Sequence, residues 1–226
     1  MKPDACGIIQ SGLAVILDMD GVIIHSNPVH RVAWERFNAR YGLATSEAMH
    51  ERMYGKRNDE IIRDFYGDLG EEEIRRRGAA KEELYRSLVA GGLERHLVPG
   101  VRKFLQKLGN TPVGLGTNAE RANVDFLLDG AEIRRFFCAV VDGGQVAAPK
   151  PSPEVYLRVA ERMGVDPGNC IVFEDSYSGV AAARAAGARV VGVRTTHREL
   201  PGVDLAIDDF ESSELWPWLT RQQPRA

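Results

Sequence analysis

Five short, mostly apolar runs, each closed by a polar residue, constrain this chain more than any other feature. The first is Leu13-Ala-Val-Ile-Leu, closed by Asp18. The others are Pro112–Gly116 before Thr117, Cys138–Val141 before Asp142, Cys170–Phe173 before Glu174 and Arg189–Val193 before Arg194. A run too short for a helix and apolar at successive positions reads as a strand buried on both faces, as parallel sheets require. Helical patterns lie between the runs. Val101, Leu105 and Leu108 mark one apolar face, and Val124, Leu127 and Leu128 another. Val155, Val159 and Met163 keep a four-residue step, and the alanine-rich stretch from Val180 to Ala186 ends at Gly187. Strand and helix in alternation predict an α/β core with a Rossmann-like parallel sheet.

The rhythm breaks after the first strand. His30, Ala33, Trp34 and Phe37 share a helical face, as do Ile61, Ile62 and Phe65, and Glu71–Val89 is charged and helical. No strand pattern intervenes before Gly91-Gly92 and Pro99-Gly100 mark the return. This predicts an all-helical cap domain at 25–96, inserted into a core made of 1–24 and 97–226, with hinges near 22–27 and 92–98. Arg75-Arg76-Arg77 is expected to be a solvated helix face, and Glu94, Arg95 and His96 hinge surface. Trp216 and Trp218 are expected to pack the C-terminus onto the core.

Composition narrows the partners. The 226 residues carry a formal net charge of −3, with 44% hydrophobic and 27% charged residues. That balance gives no basic footprint for nucleic acid or an anionic membrane. No apolar stretch reaches the ~18 residues of a membrane-spanning helix, and the opening MKPDACGIIQSG has no signal-peptide pattern. Cys6, Cys138 and Cys170 show no metal-binding spacing, and the last two sit in apolar runs that predict burial. A soluble cytoplasmic protein is expected, and no feature bears on its oligomeric state.

In open α/β sheets, sites form at the carboxyl ends of the strands. Those ends carry Asp18 and Asp20, Thr117 and Asn118, and Glu174 and Asp175, while Lys150 follows the third run in Pro-Lys-Pro-Ser-Pro. Several carboxylates meeting in one crevice repel unless a cation binds, and oxygen ligands without Cys or His favour a hard ion such as Mg2+. A carboxylate can also attack phosphorus, and Lys150 with the cation would neutralise the transferring phosphoryl group. Asp18 and Asp20, two apart on extended chain, point to one side, so one can attack while the other moves the proton. A small phosphorylated metabolite is the expected partner.

These stretches resemble the four ordered motifs of the haloacid dehalogenase superfamily. Asp18-Met-Asp20-Gly21-Val22-Ile23 is similar to the first, Thr117-Asn118 to the second, Lys150 in Lys-Pro-Ser-Pro-Glu to the third, and Glu174-Asp175-Ser176 with Gly179 to the fourth. The resemblance implies that Asp18 is the nucleophile and a magnesium ligand. It makes Asp20 the acid/base, lending its backbone carbonyl to the metal. Asp175 would ligate directly and Glu174 through water, with Thr117, Asn118 and Lys150 around the phosphoryl group. The insertion resembles the family's cap. Within the superfamily the chain resembles beta-phosphoglucomutase and the sugar-phosphate phosphatases. His30 and Trp34 look like cap-entry residues, and Gly55, Lys56, Arg57 and Asn58 like a substrate-facing cap loop. Asn58 stands where the mutase has an arginine. Arg57, one position earlier, would point about 100° away on a helix. Ile24 and His25 also depart from the pattern, as replacements for a Thr and an Asp. The expected activity is phosphatase, with a sugar-phosphate mutase as the alternative. Gly114-Leu-Gly116-Thr-Asn-Ala119 also fits a dinucleotide fingerprint, with Asp142 as the ribose acid, which gives an NAD-dependent oxidoreductase as a remote alternative. A non-catalytic regulator would have lost Asp18 or Asp20; both are present.

Overall fold

A computed structural model describes residues 11–53, 56–67 and 69–225. The chain enters through β1 (Ala14–Leu17), which is buried along its whole length. Six helical segments follow before the second strand. They are α1 (Asn27–Ala39), α2 (Glu47–Met53), α3 (Asn58–Tyr66), α4 (Glu71–Ala90), α5 (Leu93–His96) and α6 (Val101–Lys107). The α/β alternation then runs β2 (Val113–Gly116), α7 (Arg121–Gly130), β3 (Ala139–Val141), α8 (Glu154–Met163), β4 (Cys170–Glu174), α9 (Tyr177–Ala185) and β5 (Arg189–Val193). β6 (Leu205–Ile207) and α10 (Leu215–Thr220) close the chain.

All strand pairs are parallel, in the order β3-β2-β1-β4-β5-β6. The connection from β3 to β4 carries the chain across β1, so the order reverses between β1 and β4. Ligands in open α/β sheets bind at such a switch point. Each sheet face has its own apolar layer. One contains Leu17, Phe104, Phe173 and Val191, and the other Ile16, Tyr156, Val172 and Val190. Successive residues of one strand fall on opposite faces, and both faces are covered, which explains why the strands read as continuous apolar runs.

The inserted helices build a separate apolar cluster from Trp34, Phe37, Met53, Ile61, Ile62 and Ile74. The chain crosses between core and insertion at Ile24 and Leu97, which face each other in an antiparallel bridge. The fold class is therefore the expected one, a Rossmann-like parallel sheet with an inserted all-helical domain. Trp216 and Trp218 pack on the core layer as anticipated.

Three expectations change. The sheet has a sixth strand, β6, too short and too close to Asp204 and Asp208 to give a sequence signal. Cys138 is exposed, because it precedes β3 at the uncovered sheet edge, whereas Cys170 is buried. Arg77 is not a solvated charge. Its guanidinium lies 4.0 Å from the Tyr41 ring centroid and 4.6 Å from that of Tyr66, closing the cap's apolar cluster.

Candidate active site

Asp18 follows β1 directly and is 6% exposed. Its neighbours are set by the sheet register: Leu17 pairs with Phe173 of β4, so Glu174 and Asp175 emerge beside Asp18. One oxygen from each of Asp18, Glu174 and Asp175 lies within 4.8 Å of the others. Gly21 and Gly179 make this approach possible. A Cβ at Gly21 would stand 1.8 Å from Asp175 Oδ2, and one at Gly179 1.8 Å from Glu174 Oε1. Gly21 also has φ +76°, open to glycine at little cost.

Lys150 reaches in from the segment after β3 and is 7% exposed. Its Nζ donates to Asp18 Oδ1 at 2.6 Å and to Glu174 Oε1 at 2.7 Å. The Asn118 side chain accepts from the Lys150 backbone N–H at 3.2 Å, locking that segment to the end of β2. Thr117 is buried, and its hydroxyl accepts from the Ala119 N–H at 3.1 Å.

The carboxylates differ in their proton affinity. Burial pushes Asp18 up to about 7, with Lys150 pulling it down and Glu174 and Asp20 pushing it up. Asp175 lies well above the usual carboxylate range, through burial and then the charges of Glu174 and Asp18. Burial also works to raise Glu174, but Lys150 and the hydrogen bonds to it outweigh burial and leave it lowered. Those bonds come from Lys150, the Tyr156 hydroxyl at 2.5 Å, the Asp175 and Ser176 N–H groups and the Ser176 hydroxyl. Glu174 is thus satisfied within the protein, whereas Asp18 and Asp175 are short of positive charge. The oxygens of these three buried carboxylates, with a single lysine against them, are a donor set that a hard divalent cation fits.

Asp20 turns away from this cluster. Its Oδ1 accepts from the Ser26 hydroxyl at 2.6 Å and lies 3.6 Å from His30 Nε2. Burial raises its pKa, but His30 and Ser26 outweigh burial and leave it lowered. His30 stacks on Tyr85 at 3.8 Å between ring centroids, and its Nδ1 lies 2.8 Å from Lys81 Nζ. The ring thus stands between Lys81 and Asp20, with Nδ1 facing the ammonium and Nε2 facing the carboxylate.

The cap residues close the other side of one cavity shared with Asp18, Asp20, Thr117 and Lys150. His30, Trp34, Lys56, Arg57 and Asn58 all line it, while Gly55 lies outside the described residues. Trp34 is 1% exposed and chiefly belongs to the cap's apolar cluster, edge-on to Phe37 and Phe65. Arg57 precedes α3 in extended conformation, so the helical rotation expected to turn it away does not apply. Its Nη2 instead donates to the Gly143 carbonyl at 2.7 Å and the Val146 carbonyl at 3.3 Å, tying cap to core. Asn58 donates to Glu82 Oε1 at 2.7 Å.

Sequence reasoning missed Lys81, Glu82 and Asn123. They read as ordinary polar helix residues, yet all three are buried. Glu82 accepts from Lys81 Nζ, Asn58 and Asn123, each at 2.7 Å, and so joins the cap to core helix α7. Burial opposes its charge, but Lys81, His30 and Asn123 bring Glu82 down to about 2. The adjacent Lys-Glu in an otherwise soluble helix was the only available signal. His25 sits where the cap begins. Its backbone N–H donates to the His96 carbonyl at 2.7 Å, and its Nδ1 is buried without a hydrogen-bond partner among the described residues. The dinucleotide fingerprint dissolves: Gly114 and Gly116 lie inside β2, where a Cβ at Gly114 would stand 2.3 Å from Val159. Asp142 caps a short turn by accepting from the Gly144 N–H.

Comparison with known proteins gives the family. The sequence model of the haloacid dehalogenase-like hydrolase family matches residues 13–187. The chain is 35% identical over 182 residues to fructose-1-phosphate phosphatase YqaB of Escherichia coli, covering 80% of this chain and 95% of that one. It is 30% identical over 201 residues to beta-phosphoglucomutase of Bacillus subtilis, covering 86% and 88%. The crystal structure of beta-phosphoglucomutase from Clostridium difficile superposes with a TM-score of 0.81 at 27% identity, covering 92% of this chain and 96% of that one.

Proposed function

Because this chain belongs to the haloacid dehalogenase-like hydrolase family, we propose that it is a Mg2+-dependent phosphatase acting on a small sugar phosphate through a phospho-Asp18 intermediate. The observation that carries the reading is the buried Asp18, held at 2.6 Å by Lys150, with Asp20 close by yet separately bonded to Ser26. Mg2+ would be held by Asp18, Asp175 and the Asp20 backbone carbonyl, with Glu174 behind them, and would neutralise charge on the phosphoryl oxygens. Asp18 Oδ forms the bond to phosphorus as the bond from phosphorus to the leaving oxygen breaks, and Asp20 protonates that oxygen. Asp20 is ionised in the ligand-free protein, and a phosphoryl dianion beside it raises its proton affinity. Asp20 then takes a proton from the water whose oxygen displaces Asp18 from phosphorus. Thr117, Asn118 and Lys150 line the phosphoryl pocket.

Residues 25–96 act as a cap over this pocket, moving about the paired crossings at Ile24 and Leu97. A closed cap excludes water and completes the site. Hydrolysis is favoured over isomerisation because, among the described residues, the cap offers a second phosphate no uncommitted guanidinium near Asn58. Arg57 is engaged by Gly143 and Val146, and Asn58 by Glu82. The similarity to a beta-phosphoglucomutase keeps the mutase as the competing reading. A phosphate-release screen over sugar phosphates, with beta-glucose 1-phosphate assayed in parallel for glucose 6-phosphate, separates the two. Release of phosphate without isomer is expected; isomer formed faster than phosphate would overturn the hydrolytic reading.

A further inference from the structure

Two neighbouring pairs of residues grip the catalytic carboxylates from outside the motifs. Ser26 and Asn27 open α1, and Thr195 and Thr196 follow β5. Ser26 stands at the helix N-cap position, yet its hydroxyl caps nothing and donates to Asp20 instead. Thr195 donates to the Gly21 carbonyl at 2.6 Å, holding the turn of the first motif. The remaining two residues meet at Asp175. Asn27 Nδ2 donates to Thr196 Oγ1 at 2.5 Å, and the Thr196 hydroxyl donates to Asp175 Oδ2. Asn27 Nδ2 also lies 3.5 Å from that same oxygen, at the limit of a direct bond.

The chain of donors has a direction. A hydroxyl has one proton. With the Asn27 amide feeding its lone pair, Thr196 has that proton to give to Asp175. Hydrogen bonds in such a chain strengthen one another. Asp175 is therefore held as an acceptor at Oδ2, which fixes the rotation of its carboxyl group.

We propose that Asn27 and Thr196 are a positioning pair that presents Asp175 to a divalent cation and links that carboxylate to the seating of the first turn of the cap helix. The proposal rests on the Mg2+ reading above and adds residues that the four motifs do not contain. Outer partners of metal ligands are typically worth about 10–100-fold in metal affinity.

The test is direct binding of Mn2+ to the full chain, followed by electron paramagnetic resonance, with no substrate and no turnover. Thr196→Val keeps the shape and removes the hydroxyl, so it should weaken Mn2+ binding by about tenfold or more. Thr196→Ser keeps the hydroxyl and should bind as the wild type does. Asn27→Ala should weaken binding by a smaller factor and add nothing in the Asn27→Ala/Thr196→Val double variant, because Asn27 acts through the hydroxyl. Melting curves without metal check that the variants fold, and the half-buried Asn27 site gives a second route should Thr196→Val fail to do so. Equal affinity in Thr196→Val and wild type overturns the proposal. So does equal weakening in the Val and Ser variants, or an additive effect of Asn27→Ala. A wild-type chain that binds no Mn2+ instead sinks the metal reading on which the pair depends.

Discussion

At the scale of single residues, the site is a problem in charge. Asp18, Glu174 and Asp175 are buried together, and Lys150 is their one ammonium partner among the described residues. Burial works against the charge on Lys150, yet the two carboxylates outweigh it and hold the ammonium above its ordinary range. Removing it in Lys150→Ala leaves buried carboxylates unpaired, a loss of about 3–5 kcal/mol in related cases. Urea unfolding in the absence of metal should show a destabilisation of that order, and an unchanged midpoint would mean that another group neutralises Asp18. Asp18→Asn keeps the shape and the contact to Lys150 but cannot attack phosphorus. Turnover should fall by ~10³ or more, read as phosphate release; near-normal rates would end the covalent mechanism.

At the scale of elements, the strand ends were legible because burial on both sheet faces writes itself into the sequence. β1 to β5 sit within a residue or so of the apolar runs, and three of the residues closing those runs, Asp18, Thr117 and Glu174, belong to the candidate site, whereas Asp142 caps a turn and Arg194 pairs with Asp208. The cap was legible as helices but not as a set of contacts. Arg57 shows why. Its position depends on whether α3 begins before or after it, and one residue decides whether the guanidinium faces solvent or the Gly143 carbonyl. Arg57→Ala should release the cap on that side. Amide exchange should quicken in α3 and around Gly143–Gln145, while β1 and β4 stay protected. Unaltered exchange in both places would show that the tie does not hold the cap.

At the scale of the whole molecule, the buried carboxylates couple stability to pH. Asp18 has a folded-state value of about 7 against 3.8 for an ordinary carboxylate. The folded state therefore holds this proton more tightly than the unfolded chain, so the group's contribution is complete below 3.8 and is lost as pH rises toward 7. Asp175 acts in the same direction. His25 and His197 are lowered by burial and act oppositely, regaining stability as pH rises to 6.5. Asp20 and Glu174 are lowered carboxylates whose contribution is already complete above their ordinary values of 3.8 and 4.5. Above pH 6.5 only the raised carboxylates remain in play among these groups. The melting temperature of metal-free protein should fall between about pH 6.5 and 8, and added Mg2+ should reverse the fall, because binding to the folded state stabilises it. Scanning calorimetry with and without chelator checks this; a melting temperature insensitive to Mg2+ would remove the cation from the site.

The sequence alone determined the α/β alternation, the helical insertion and the identities of Asp18, Asp20, Thr117, Lys150, Glu174 and Asp175. Local rules suffice there, since periodicity reports burial and the candidate site residues lie at strand ends or in the loop after β3. Tertiary structure decided which strands are neighbours, and so which carboxylates come together. It also decided that Lys81, Glu82 and Asn123 form a buried charged link between cap and core, and that Thr196 holds Asp175. Those residues carry no periodic or motif signal. Their meaning comes from partners distant along the chain, such as Asn27 and Thr196, and only the folded path brings such partners within hydrogen-bond reach.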